Sequence, residues 1–220
     1  MRLSLLVSLA ALAPAARGAA QAPGLPFHGG SPPTGFHVVA TVGWTGASHW
    51  MTEGYTVGAT VGYTWSRFGL TGSLGRFSPD YEGYHTVATA GVTSSFRLLG
   101  GTLDTPFQIN LLGGLGSALT ADNPLIPGFS VPGGDSDWRA QAGIGVTLSI
   151  ATPVVSIRPW LAPRAEIIGR PDGSSESLST EFAGSAGVDL AFLGGLGLRA
   201  TWDKIEGDDQ AIGFGISYRF

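Results

Sequence analysis

From residue 36 onward, large apolar residues recur at every second position. Phe36, Val38, Ala40, Val42 and Trp44 alternate with His37, Val39, Thr41, Gly43 and Thr45. Tyr55, Val57, Ala59, Val61, Tyr63 and Trp65 alternate with Thr56, Gly58, Thr60, Gly62 and Thr64, and the same pattern runs from Trp138 to Leu148. A period of two places each set on its own face of a β-strand. The pattern predicts strands near 36–46, 54–66, 67–77, 84–98, 105–119, 136–150, 153–168, 180–192, 194–203 and 208–220. Most are longer than the roughly 5–6 residues of soluble strands and long enough to cross a bilayer at a tilt. Long polar connections (Ala47–Glu53, Ser78–Gly83, Thr120–Asp135, Gly169–Ser179, Lys204–Gly207) alternate with tight ones such as Trp65–Phe68, Ala151–Val154 and Leu193–Gly195. Short turns at one end and longer loops at the other predict an all-β, antiparallel up-and-down transmembrane β-barrel of ten strands over 36–220. The Gly-rich segment 67–77 and the junction Leu98–Thr105 carry the alternation least clearly, and the loss of one hairpin there leaves the alternative of eight strands.

A soluble ligand-carrying barrel has the same period but turns its apolar face inward. Its outer face here would be nearly free of Lys and Glu, although a soluble surface needs charge. Charged residues are only 13% of the chain and Lys204 is the sole lysine. The aromatic residues also gather at strand ends. Phe36, Trp65, Phe68, Phe96, Phe107, Phe192, Tyr218 and Phe220 fall at the turn end, and Trp44, Tyr55, Tyr84, Trp138, Phe182 and Trp202 at the loop end. Two aromatic belts flanking an aliphatic band are what two lipid headgroup layers select. With 43% hydrophobic residues and 6 Trp the chain is too apolar for disorder. A formal net charge of −4 gives no footprint for nucleic acid. There is no cysteine, and so no disulfide, thiolate metal site or Cys nucleophile.

Arg2 followed by the apolar run Leu3–Leu12 and small residues to Ala22 reads as a secretory signal peptide. Cleavage is expected after Ala20, giving a signal peptide of 1–20 and a Pro/Gly-rich disordered leader of 21–35.

The last strand, with Ile212, Phe214, Ile216, Tyr218 and Phe220 alternating, resembles the C-terminal strand of bacterial outer-membrane β-barrel proteins of the small OmpA/OmpW-like kind. The resemblance implies a bacterial outer-membrane location, contact with membrane lipid and lipopolysaccharide, and recognition of Phe214, Ile216, Tyr218 and Phe220 by the barrel-assembly machinery. Ten-stranded outer-membrane proteases, similar in strand count, use an Asp-x-His arrangement, and barrel deacylases use His-x-Ser. None of His28, His37, His49 and His85 follows an Asp at that spacing or precedes a Ser by two. Asp135 and Asp137 form an Asp-x-Asp pair among loop glycines, where a solvated turn is the plainer role. No catalytic role, cofactor or metal is expected. Acidic residues in the long connections (Asp80, Glu82, Asp122, Asp172, Glu176, Glu206, Asp208, Asp209) suit solvation, or bridging to lipopolysaccharide through divalent cations.

By parity Arg97, Arg139, Arg158, Trp160, Arg164, Glu166, Asp189, Arg199, Asp203 and Arg219 point into the lumen. The expected ion-pair cluster comprises Arg139, Arg158, Arg164, Glu166, Asp189 and Arg199. The short turn Leu193–Gly195 sets Asp189 opposite Arg199. A loop centred near Ser174–Ser175 sets Trp160 opposite Asp189, with Arg158 a diagonal neighbour. These residues point to a monomer with a narrow, Arg-rich lumen. Its role is either structural or that of a small-solute, porin-like channel; adhesion through the acidic loops is the alternative.

Phe220→Ser should lower the amount of folded, heat-modifiable barrel in the membrane several-fold. Phe129→Ser, in the third long connection, should leave it unchanged. Gel mobility of unheated membrane fractions measures both.

Overall fold

The computed structural model of the protein describes residues 34–46, 53–80, 86–102, 105–119, 138–172, 175–206 and 210–220. The signal peptide, nearly all of the leader, the connection Thr120–Asp135, the Asp135/Asp137 pair, and His28, His49 and His85 lie outside the described residues. The strands are β1 (Gly35–Thr45), β2 (Gly54–Thr64), β3 (Phe68–Pro79), β4 (Val87–Thr102), β5 (Thr105–Leu119), β6 (Trp138–Leu148), β7 (Ile150–Ala151), β8 (Val155–Asp172), β9 (Ser175–Phe192), β10 (Leu196–Ile205) and β11 (Gln210–Arg219). Neighbours in sequence pair antiparallel, and β1 closes on β11 from His37–Arg219 to Thr45–Ala211. The short β7 continues β6 along the same partner, β8. Among the described residues the wall is therefore a closed ring of ten staves.

The wall is apolar outside and polar inside. Val57, Leu74, Leu115, Ile144 and Ile216 stand exposed on the outer face. Phe36, Trp65, Phe68, Phe96, Phe107, Tyr218 and Phe220 are exposed at the turn end, and Trp44, Tyr55, Phe182 and Trp202 at the loop end. Aromatic rings touch around the turn-end belt, with Phe36 and Phe220 centroids 5.3 Å apart and Trp65 and Phe68 5.7 Å apart. Among the described residues 18 polar or charged side chains are buried against 8 apolar ones. That inverts the core of a soluble barrel and makes the fold a transmembrane one.

Several boundaries differ from the sequence expectation: β10 reaches Ile205 into the expected loop Lys204–Gly207, and the strand expected at 136–150 is split between β6 and β7. The segment Gly169–Ser179, expected as a loop, is largely strand: β8 and β9 pair from Val155–Phe192 up to Asp172–Ser175. The alternation of apolar residues stops where lipid stops, whereas backbone pairing continues into water. The strand expected at 84–98 instead spans 87–102. It is carried past Arg97 by register shifts and by Gly100 and Gly101, at φ of 71° and 75°. A Cβ at Gly100 would collide with the Phe107 carbonyl oxygen, so the bulge requires glycine. The strand expected at 67–77 takes in Ser78 and Pro79.

Large inward side chains lie against glycines of the next stave. A Cβ at Gly187 would stand 2.5 Å from Trp160 Cζ2 and equally close to the Ala200 oxygen, whereas one at Gly184, on the lipid side, would meet nothing within 4 Å. Gly187→Val should cost about 2 kcal/mol through overpacking. Gly184→Ala should change stability by less than about 0.5 kcal/mol. Urea unfolding of the refolded barrel in micelles checks the contrast, and equal effects would contradict this packing.

Candidate functional site

The inward positions of β8 set the order of the lumen. From the turn end they include Arg158, Trp160, Ala162, Arg164, Glu166 and Ile168. Arg158 and Arg164 are six positions apart, about 20 Å along an extended strand.

Toward the loops Arg164 is a hub. Its Nε donates to Glu166 Oε1 (2.6 Å), and Nη1 and Nη2 donate to Asp203 Oδ1 and Oδ2 (2.7 and 2.9 Å). Nη1 also donates to Ser185 Oγ, whose hydroxyl donates to Asp203 Oδ1. Arg139 Nη1 is 3.6 Å from Glu166 Oε2, an ion pair without a hydrogen bond. Planar guanidinium on carboxylate is the strong form of such contacts. The group joins β6, β8, β9 and β10, and Glu166 is wholly buried. Glu181 lies directly opposite Glu166 in the β8–β9 register and accepts a hydrogen bond from Ser179 Oγ (3.3 Å). Two facing carboxylates repel; Arg139 and Arg164 offset that repulsion.

At mid-height Leu112, Trp160 and Ala162 form a buried apolar cluster. Trp160 Nε1 reaches toward the turns and donates to Asp189 Oδ1 (3.4 Å).

On the turn side Arg199 grips Asp189, Nε to Oδ1 at 2.6 Å and Nη2 to Oδ2 at 2.8 Å. Arg158 flanks Asp189 from β8, in direct register. The register expected from sequence, with Trp160 opposite Asp189, is thereby corrected: Trp160 pairs with Gly187. Pairing of Asp172 with Ser175 centres the hairpin one residue earlier than the sequence suggested, which moves each partner by two. Below Trp160 a cavity of about 100 Å³ opens between Arg158, Asp189, Arg199 and Arg219 on one wall and Thr41, Thr60, Thr71 and Thr93 on the other.

The six residues expected as one cluster thus fall into two groups. Arg139, Arg164 and Glu166 join Asp203, while Arg158, Asp189 and Arg199 lie on the far side of Trp160. Sequence reasoning passed over Ser185, Glu181 and Leu112. Ser185 and Glu181 share odd-numbered parity with Asp189 on β9, a signal sufficient to place them inward. Leu112 shares even-numbered parity with Gln108 and Asn110 on β5, but parity alone does not show that an apolar residue there packs on Trp160. On the outer face of β11, Phe214, Ile216 and Tyr218 pair with Val42, Ala40 and Val38, and the Phe220 N–H donates to the Phe36 carbonyl (3.1 Å). Among the described residues no three His, Asp or Glu side chains stand together as a metal site.

No protein-family model and no curated protein matches the chain by sequence. The β domain of the Bordetella autotransporter BrkA aligns with 86% of this chain and 100% of that one, at 13% identity and a TM-score of 0.52. The outer-membrane protease OmpT of Escherichia coli aligns over 89% of this chain and 99% of its own, at 9% identity and a TM-score of 0.41. LpxR from Salmonella typhimurium aligns over 84% and 100%, at 10% identity and a TM-score of 0.37. The likeness to the BrkA β domain is one of fold alone. By that fold the chain is a closed antiparallel barrel of the outer-membrane type.

Asp189→Ala should destabilise the barrel by about 3 kcal/mol, because Arg199 is left without its partner inside the lumen. Arg199→Ala in the same chain should recover part of that loss. A double-mutant cycle in urea should give a coupling of about 1–2 kcal/mol, and zero coupling would contradict the pair.

Proposed function

We propose that this chain is a monomeric barrel of a bacterial outer membrane with a narrow, ion-paired lumen, structural in role and at most a small-solute, porin-like passage. One observation carries the reading: the Arg164 clamp ties β6, β8, β9 and β10 together on the inner face, and beside it Trp160 and Leu112 pack as a buried apolar plate, so side chains occupy this part of the lumen. An ion passing the plate must shed water against apolar walls, which is how hydrophobic constrictions close pores. The clamp holds one arginine on two carboxylates from two staves, so it is also a cross-brace.

The proposal includes export through the 1–20 signal peptide, assembly by the machinery that reads the strand ending at Phe220, and contact with lipid and lipopolysaccharide. The OmpA/OmpW-like kinship rests on that terminal strand. The proposal assigns no catalysis. Ser185 is tied to Arg164 and Asp203, and the one described histidine, His37, sets its Nδ1 3.4 Å from the Gly35 carbonyl.

Planar-bilayer recordings test this. The wild-type barrel should pass almost no current, and Trp160→Ala combined with Arg164→Ala should raise it at least tenfold. Large, steady wild-type currents would overturn the closed-lumen reading.

A further inference from the structure

The turn-side cavity is chemically unlike the rest of the lumen. Its lining brings three guanidiniums, Arg158, Arg199 and Arg219, together with a single carboxylate, Asp189. Both oxygens of that carboxylate are held by Arg199. Arg158 stands within electrostatic reach of Asp189, Arg199, Arg219 and Arg97, so among the described residues four cations share one anion in this part of the lumen. The facing wall is hydroxyl-bearing, with Thr60, Thr71 and Thr93. Surplus guanidinium opposite hydroxyl donors is the chemistry that binds oxyanions. The size selects further. At about 100 Å³ the cavity falls well below the roughly 300–1,000 Å³ of sites for larger organic ligands. Leu112, which packs against Trp160, forms part of its inner lining.

We propose that this turn-side vestibule is a binding site for a small free oxyanion of the phosphate class, entering from the turn end and held between the arginine wall and the threonine wall. The proposal rests on the reading of the lumen as closed at Trp160. Arg219, exposed at the mouth, draws the anion in, and Arg158 and the Arg199–Asp189 pair form the inner wall. Asp189 keeps Arg199 in place and excludes a second anion.

Calorimetric titration of the folded barrel in zwitterionic micelles at low salt, with inorganic phosphate as the probe, tests the site. Saturable binding of one phosphate per barrel is expected, weakened about tenfold by Arg219→Gln, the loss of one charge-assisted contact. Arg219 is exposed, so this variant should keep the wild-type heat-modifiable mobility. Arg76→Gln is the control, because Arg76 lies outside the barrel and donates to Thr86 Oγ1; it should bind as wild type. No saturable heat, or an equal loss in both variants, would overturn the site. Binding of a short-chain phosphatidic acid without binding of inorganic phosphate would replace a free solute with a lipid headgroup and also overturn it. The two readings fail separately. Phosphate binding by a freely conducting barrel retains the site and removes the closed lumen; a silent barrel without phosphate binding removes only the site.

Discussion

In hydrocarbon a backbone N–H or C=O has no partner but another strand, and each one left bare costs several kcal/mol. Every edge must therefore be paired, and the β1–β11 seam is the pairing that makes the rest possible. It runs the length of both strands, and the Phe220 N–H extends it to Phe36. Proline shows how strict the rule is. The β6–β8 pairing lapses between Gly143–Arg164 and Val146–Leu161, where Pro163 has no N–H to give.

Closure fixes the girth of the lumen, and side chains must then share a cross-section that cannot widen. The chain meets this by setting its largest inward residues over glycine. Trp160 lies on Gly187, Arg164 on Gly143 and His37 on Gly62. That gives a physical reason for these three of the chain's 35 glycines. The same crowding explains how charged residues survive there. Arg164 is buried, yet it meets Glu166, Asp203 and Ser185, so its desolvation is offset by bonds in nearly every direction its guanidinium can offer.

The architecture was legible in the sequence because lipid imposes a one-residue alternation that side-chain type records directly. Asp189 opposite Arg199 was legible too, since the turn at Leu193–Gly195 is short enough for parity and length to leave one register. The β8–β9 hairpin was not. Beyond Ile168 the alternation of apolar and polar residues breaks down while the strands go on pairing, and the pattern no longer marks where pairing ends. An error of one residue in the hairpin centre moved Trp160 from opposite Gly187 to opposite Asp189. The division of the ionic residues into two groups was hidden for a related reason. It depends on Leu112, whose apolar side chain sits on the inward face of β5 and packs against Trp160.

The inward charges are graded along the axis. Among the residues whose side chains are described, the loop-side group holds Arg139 and Arg164 against Glu166, Glu181 and Asp203, and the turn-side group holds Arg97, Arg158, Arg199 and Arg219 against Asp189. Two cations face three anions above the Trp160 plate, and four face one below it. Inside a low-dielectric wall such an imbalance is screened far less than at a surface. If the lumen is closed as proposed, an anion arriving from the turns gains from the surplus positive charge, then meets an apolar plate where it would lose its water, and beyond that a layer of net negative charge. A cation arriving from the loops meets the same sequence reversed. On the proposed reading, the grading makes the barrel one that holds small ions at its mouths and does not pass them.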